Sequence, residues 1–231
     1  MIGFLRSLAF NAWFYGLTFV LAFVGIGVRI FTPQRVGDFA RFWIRLVLGG
    51  LRVLCGIYPE VSGMENLPLQ GPALLASQHQ SAFDTLIWML LAPRACFVLK
   101  QELTRIPLFG QLLIDAGMIP VDRRAGAAAL RKLLNDCAAA RDAGRQIVIF
   151  PEGTRASYGA PLKLQPGIAA IASRLEMEVI PVATDSGRRW GRNAFLKVPG
   201  AIRICVKEPI AKGVGRNELL AGIEGAFWGA E

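Results

Sequence analysis

Six short apolar runs punctuate residues 73 to 206: ALLAS (73–77), ACFVL (95–99), GMIPV (117–121), QIVIF (146–150), EVIPVAT (178–184) and AIRICV (201–206). Most are too uniformly apolar to keep one face in water, so they predict strands covered on both sides. Longer stretches with helical spacing lie between them. The clearest covers residues 127–142, where Leu130, Leu133, Leu134 and Cys137 share a face and Gly144 supplies the stop. Strand, helix, strand in this order predicts an α/β fold: a mostly parallel central sheet flanked by helices, with ligands at the carboxyl ends of the strands.

The first quarter of the chain does not fit that pattern. Residues 7–28 carry no charge and are bracketed by Arg6 and Arg29. As a helix this run reaches about 33 Å, long enough for the hydrocarbon core of a bilayer. Trp13, Phe14 and Tyr15 cluster near one end, as aromatic rings do at the interface, while Gly25 and Gly27 weaken the helix at the other. A second segment, residues 38–57, sets Phe39, Phe42, Trp43, Leu46, Val47 and Leu51 on one side and interrupts them with Arg41, Arg45 and Arg52. Such a helix suits the headgroup plane. The chain thus divides into a membrane-embedded helix pair, 1–56, and a globular domain, 57–231. A cleaved signal peptide fits less well, because the apolar run is longer than usual and no small-x-small site follows. Arg29, Arg35, Arg41, Arg45 and Arg52 follow the run and only Arg6 precedes it. The positive-inside rule then puts the globular domain on the cytoplasmic side of the inner membrane. Spanning and interfacial placements both remain open.

Lys and Arg outnumber Asp and Glu by 26 to 17, so the surface attracts anions. An apolar content of 53% turns that preference from nucleic acid toward membrane lipid. Cys55, Cys96, Cys137 and Cys205 are scattered without a C-x-x-C pair and read as small buried residues of a reducing compartment. With a single histidine in the chain, no metal site is expected.

That histidine, His79, follows the run ALLAS directly, five positions before Asp84. Ser81 can cap a helix starting near Ala82 and bring Asp84 into its first turn. There a carboxylate can turn back to the imidazole, fix its tautomer and leave the other ring nitrogen as a base. A histidine satisfied by backbone, with Asp84 as a helix cap, explains the same residues. Ser77 and Ser81 are nearby hydroxyls, but the chain contains no G-x-S-x-G elbow. The segment FPEGTR, residues 150–155, also follows an apolar run. Pro151 and Gly153 make a tight turn expected to expose Glu152 and Arg155 at the sheet's edge, where Arg155 could fork onto a phosphate. A plain surface turn is the alternative. Lys100 ends one predicted strand and Arg123 follows the next, so the two cations could converge with Arg155, or each could be a solvated charge.

HQSAFD, FVLKQELTRIPLFGQLLIDAGMIPVDR, FPEGTR and VIPVATDSG resemble, in order and approximate spacing, the four sequence blocks of the 1-acyl-sn-glycerol-3-phosphate acyltransferase family, bacterial type. The tail RRWGRNAFLKVPG is similar to bacterial members too. The resemblance covers roughly residues 57 to 210. It implies that His79 is the general base and Asp84 its orienter. It implies that Lys100 and Arg123 bind the substrate phosphate, and that Glu152, Gly153 and Arg155 complete the glycerol-phosphate site. Pro181 matches the fourth block in a structural or acyl-contact role. Gln78 and Asp185 stand where many members have Asn. The implied reaction moves a fatty acyl group from acyl-CoA or acyl-carrier protein to the sn-2 hydroxyl of lysophosphatidate, with no cofactor beyond that co-substrate. Alternatives are glycerol-3-phosphate or another lysolipid, such as a lyso-ornithine lipid, as acceptor. Outside the family stand a membrane-associated serine hydrolase and a basic lipid-binding module.

Overall fold

A computed structural model describes residues 1–68, 70–107 and 109–228. Two long helices come first, α1 (Ile2–Phe31) and α2 (Val36–Cys55), followed by β1 (Ile57–Ser62), β2 (Ala73–Ser77) and α3 (Phe83–Leu91). Next are β3 (Ala95–Lys100), α4 (Gly110–Asp115), β4 (Ile119–Val121), α5 (Gly126–Asp142) and β5 (Gln146–Ile149). The chain closes with α6 (Gly167–Leu175), β6 (Ile180–Thr184), α7 (Ser186–Arg189), β7 (Gly200–Val206) and α8 (Arg216–Trp228).

Among the described residues the strands form one seven-stranded sheet in the order β1-β7-β6-β2-β5-β3-β4. β6, β2, β5, β3 and β4 are parallel, so their carboxyl ends share one edge. β7 runs antiparallel to β6 and carries β1 with it in parallel, so this pair at one side is reversed. The fold is the α/β sandwich the apolar runs predict, and all six runs are strands. β1 has no counterpart among them. Pro59 and Glu60 break its apolar pattern and its middle is exposed, which only an edge strand tolerates.

Side chains alternate across the sheet. Leu75 and Val148 face a core shared with α1, α2 and α3. Leu74, Ala76, Ile147 and Ile149 face the opposite core, under α5, α6 and α8. Cys96 and Cys137 are buried in that second core, and burial pushes the Cys137 thiol up to about 12, as befits inert apolar residues.

The helix pair is an antiparallel hairpin that lies along the body. Phe10 of α1 and Ile44, Val47, Leu51 and Cys55 of α2 belong to the same core as the sheet. The buried stripe of α2 therefore runs Val36, Ile44, Val47, Leu51, Cys55, at intervals of four or three after the first step. Val47 and Leu51 of the expected apolar face belong to this stripe and Trp43 packs against the same core, whereas Phe42 is exposed. Gly25 does not weaken α1, which continues to Phe31. It lets the helix approach Phe39 and Leu112, where a Cβ would lie 3.0 Å from each side chain. Polar contacts fasten both ends of α1. Ser7 Oγ accepts from the Lys197 N–H at 3.0 Å, and Lys197 Nζ donates to Asn11 Oδ1 at 2.8 Å. At the far end Arg29 pairs with Asp115 of α4 at 2.5 Å. The outer face of α1 leaves Phe4, Leu8, Tyr15, Phe19, Phe23 and Phe31 exposed.

Candidate active site

β2 delivers His79 to the edge where the carboxyl ends of the parallel strands meet, and the chain turns there into α3. Asp84, in the first turn of α3, organises that turn. Its Oδ2 accepts from the Gln80 and Ser81 main-chain N–H groups, both at 2.7 Å, and lies 3.3 Å from His79 Nδ1. Asp84 is 2% exposed, so the carboxylate is fixed by donors rather than by water. A proton on Nδ1 pointed at this oxygen leaves Nε2 as the unprotonated ring nitrogen.

The segment after β5 completes the hold on His79. The Phe150 ring stacks on the imidazole with centroids 4.2 Å apart. Glu152 Oε2 accepts from the His79 N–H at 2.7 Å, and the Ala156 N–H donates to the His79 carbonyl at 2.8 Å. The turn itself forms as its sequence predicts. Gly153 N–H donates to the Phe150 carbonyl at 2.9 Å, and Gly153 adopts φ +72°, which favours glycine. Glu152, however, is only 7% exposed, against the expectation of a carboxylate displayed at the edge. β2 and β5 are adjacent in the sheet, so a side chain leaving the β5 end meets the β2 loop before it meets solvent. Burial raises its pKa from 4.5 to about 8. The His79 N–H bond pulls the other way, and the nearby Asp84 carboxylate adds to the rise.

His79 lines one end of a cavity of about 820 Å³. Beyond the imidazole the walls are apolar, with Leu86 and Met89 of α3, Phe97 of β3, Leu112 of α4, Trp43 of α2 and Ala22 of α1. Around the polar end stand Lys100, Arg123, Arg155 and Arg192. Lys100 and Arg155 make no side-chain hydrogen bond or ion pair among the described residues, leaving their charges available to a ligand. Arg123 Nη1 donates to the Gly153 carbonyl at 2.6 Å, and Arg192 Nη1 to the Arg155 carbonyl at 3.1 Å. Two arginines from opposite sides of the sheet thus clamp one turn. Arg192 lies in the tail RRWGRNAFLKVPG, where the sequence assigned it no role. It follows β6, which neighbours β2, and that adjacency brings it to the turn.

The structure therefore brings His79, Lys100, Gly153, Arg123 and Arg155 onto one cavity, with Asp84 and Glu152 behind the base. Ser77 and Ser81 are turned inward. Ser77 Oγ accepts from Trp88 Nε1 at 2.9 Å, Ser81 Oγ accepts from the Phe83 N–H at 3.1 Å, and both residues are buried. Neither is offered to a substrate. The two unusual block residues are structural: Gln78 Oε1 accepts from the Thr184 N–H at 3.0 Å, and Asp185 Oδ1 from the Arg203 N–H at 2.8 Å. Among the described residues no three histidine, cysteine or carboxylate side chains group in a way that could hold a metal ion.

An acyltransferase family model matches residues 59–185. The 1-acyl-sn-glycerol-3-phosphate acyltransferase of Pseudomonas aeruginosa is 32% identical over 213 residues, which cover 89% of this chain and 82% of that protein. The 1-acyl-sn-glycerol-3-phosphate acyltransferase alpha of Mus musculus is 27% identical across 87% of this chain and 70% of its own length. The crystal structure of the 1-acyl-sn-glycerophosphate (LPA) acyltransferase PlsC from Thermotoga maritima superposes with a TM-score of 0.71 at 20% identity. The match covers 97% of this chain and 95% of that one, a likeness of fold.

Proposed function

Because the chain belongs to the acyltransferase family, we propose that it transfers a fatty acyl group from a thioester donor to the sn-2 hydroxyl of 1-acyl-sn-glycerol-3-phosphate, giving phosphatidic acid. One observation carries the reading: a histidine whose ring is held by Asp84 and Phe150 and whose main-chain N–H is held by Glu152, at the polar end of an otherwise apolar cavity, with cations around it. His79 Nε2 takes the proton of the acceptor hydroxyl as that oxygen attacks the thioester carbonyl. The tetrahedral oxyanion collapses, the C–S bond breaks, and the thiolate recovers the proton from the imidazolium. Asp84 stabilises that cation and keeps the ring in register. General-base help contributes typically about 10² to 10⁴-fold, so holding two lipid substrates together supplies much of the rest. Lys100 and Arg155 hold the acceptor phosphate, with Arg123 and Arg192 fixing the turn that carries Arg155. The donor is acyl-CoA or acyl-carrier protein, and the chemistry as written needs no metal.

The outer apolar face of α1 continues into exposed Phe195, which its Phe4 ring touches, and into Ile114 of α4. α1 is long and apolar enough to cross a membrane. Its contacts to the body at both ends favour instead a hairpin sunk into one leaflet of the cytoplasmic membrane, with the cavity opening to lipid.

The test follows free thiol released from palmitoyl-CoA by the purified protein in detergent micelles, with and without lysophosphatidate, beside His79→Ala. Release that requires the acceptor and vanishes in the variant is expected. Release without acceptor would mean hydrolysis, and competition by glycerol-3-phosphate or a phosphate-free lysolipid would redefine the acceptor.

A further inference from the structure

Glu152 leaves β5 beside the cations of the cavity, yet it does not line the cavity. Its Oε2 is committed to the His79 N–H, and its Oε1 is buried without a hydrogen-bond partner among the described residues. The titratable groups against it are His79, after β2, and Asp84, in the first turn of α3; Arg123 reaches the neighbouring Gly153 and Arg155 belongs to its own turn. None pairs with it. Arg123 is bonded to the Gly153 carbonyl, Arg155 lines the cavity, and Asp84 is a second buried carboxyl. An ionised Glu152 would therefore be a buried charge with no cation, beside a like charge.

We infer that Glu152 serves as an uncharged carboxylic acid that holds the main chain of His79, a positioning residue for the base and not a ligand of the substrate. The inference rests on the reading of His79 as the base. Three contacts from one segment then fix that residue: the Phe150 ring on its imidazole, the Glu152 carboxyl on its N–H and the Ala156 N–H on its carbonyl. With the peptide on both sides of the ring tied down, the Nδ1 to Asp84 contact is a consequence of backbone placement.

The rise of the Glu152 pKa to about 8, caused first by burial, agrees with this and gives the role a thermodynamic signature. Between the ordinary value of 4.5 and about 8, the folded chain keeps a proton that the unfolded chain has lost. The stabilisation is complete below pH 4.5, drains away as pH rises to 8, and changes no further above it. Glu152→Gln keeps a carbonyl for the His79 N–H and carries no proton to lose.

The experiment compares the full-length protein with Glu152→Gln, Glu152→Ala and His79→Ala in the same micelles, by thermal melting at pH 5 and pH 8.5 and by steady-state kinetics. Because the chain has one histidine, ¹⁵N-histidine labelling adds the spectrum of a single imidazole. Glu152→Gln is expected to lower kcat by no more than roughly tenfold, leave KM for lysophosphatidate within about twofold and keep the imidazole signature. Its melting temperature should fall less than the parent's between the two pH values, by roughly 5 °C or more. Glu152→Ala should lower kcat about 100-fold at unchanged acceptor KM and alter the imidazole signature; if it fails to fold, the glutamine variant alone decides. A tenfold rise of acceptor KM in Glu152→Gln would make Glu152 a ligand and overturn the inference. So would equal melting shifts in parent and variant, which would mean a charged carboxylate. An active His79→Ala would instead sink the base assignment itself, whatever the Glu152 variants do.

Discussion

The two ends of the cavity are built on different principles. At the base, position is set by direction: Asp84 gathers three donors on one oxygen, and both peptide groups of His79 are hydrogen-bonded to the segment after β5. At the hairpin, position is set by shape. Ala22, Phe39, Trp43 and Leu112 line the cavity there, Trp43 Nε1 donates to Thr18 Oγ1 at 3.1 Å and Thr18 Oγ1 to the Phe14 carbonyl at 2.6 Å, and Gly25 allows the close approach. Hydrogen bonds fix angles and tolerate little error, whereas apolar walls fix a volume and tolerate exchanges that conserve it. Changes at the first end should therefore act on the rate of the chemical step, and changes at the second on which chain is accepted.

The largest effect tests the first half of that contrast. His79→Ala should lower kcat at least 10² to 10⁴-fold with KM for lysophosphatidate little changed, since the cations that hold the phosphate remain. Asp84→Ala should lose a comparable factor and stability as well, because the Gln80 and Ser81 N–H groups are left buried without an acceptor, at about 1–3 kcal/mol each. Thermal melting beside initial rates separates the two. An Asp84→Ala protein as stable as its parent would show that the carboxylate does not organise the loop.

The second half is broken or kept by Ala22→Phe, which pushes a ring into the apolar wall far along the cavity. Excluding about four methylenes from the cavity forfeits roughly 3 kcal/mol at about 0.8 kcal/mol each, or about 10²-fold in preference for long over short chains. Rates with a series of acyl-CoA and lysophosphatidate chain lengths would read this out. A uniform fall for every length would mean that the hairpin end serves structure and not selection.

The same contrast governs what was legible in the sequence. Volume-setting elements announce themselves by composition. All six apolar runs are strands, and α5 occupies the stretch its leucines mark. His79 and Asp84 were readable as a pair because a helix start brings a carboxylate five residues on back toward the strand end. Directional features that depend on sheet order were not. Nothing in FPEGTR reveals that β5 lies next to β2, and that neighbour buries Glu152. Arg192 reaches the site only because β6 flanks β2 on its other side. β1 escaped because an edge strand needs no apolar alternation, and Phe42 was grouped with the buried Val47 and Leu51 because the apolar residues of α2 surround more than one side of the helix.

A smaller pair of effects sharpens the contrast at the mouth, where the cations are directional in chemistry but not all committed. Arg155 lines the cavity and makes no side-chain hydrogen bond among the described residues, so Arg155→Ala should raise KM for lysophosphatidate about tenfold and change kcat much less. Arg192 spends one N–H on the Arg155 carbonyl, so its loss loosens the turn without removing the chief phosphate contact. Arg192→Ala should raise the same KM only two- to threefold, by roughly 0.4–0.6 kcal/mol. Both residues are at least partly exposed, so raising the salt from 0.05 to 0.5 M should narrow the Arg155→Ala difference, as screening weakens the parent's own hold on the phosphate. An Arg192→Ala effect equal to that of Arg155→Ala would make Arg192 a direct phosphate ligand. The polar end would then hold its substrate with one more committed cation than the turn geometry assigns it.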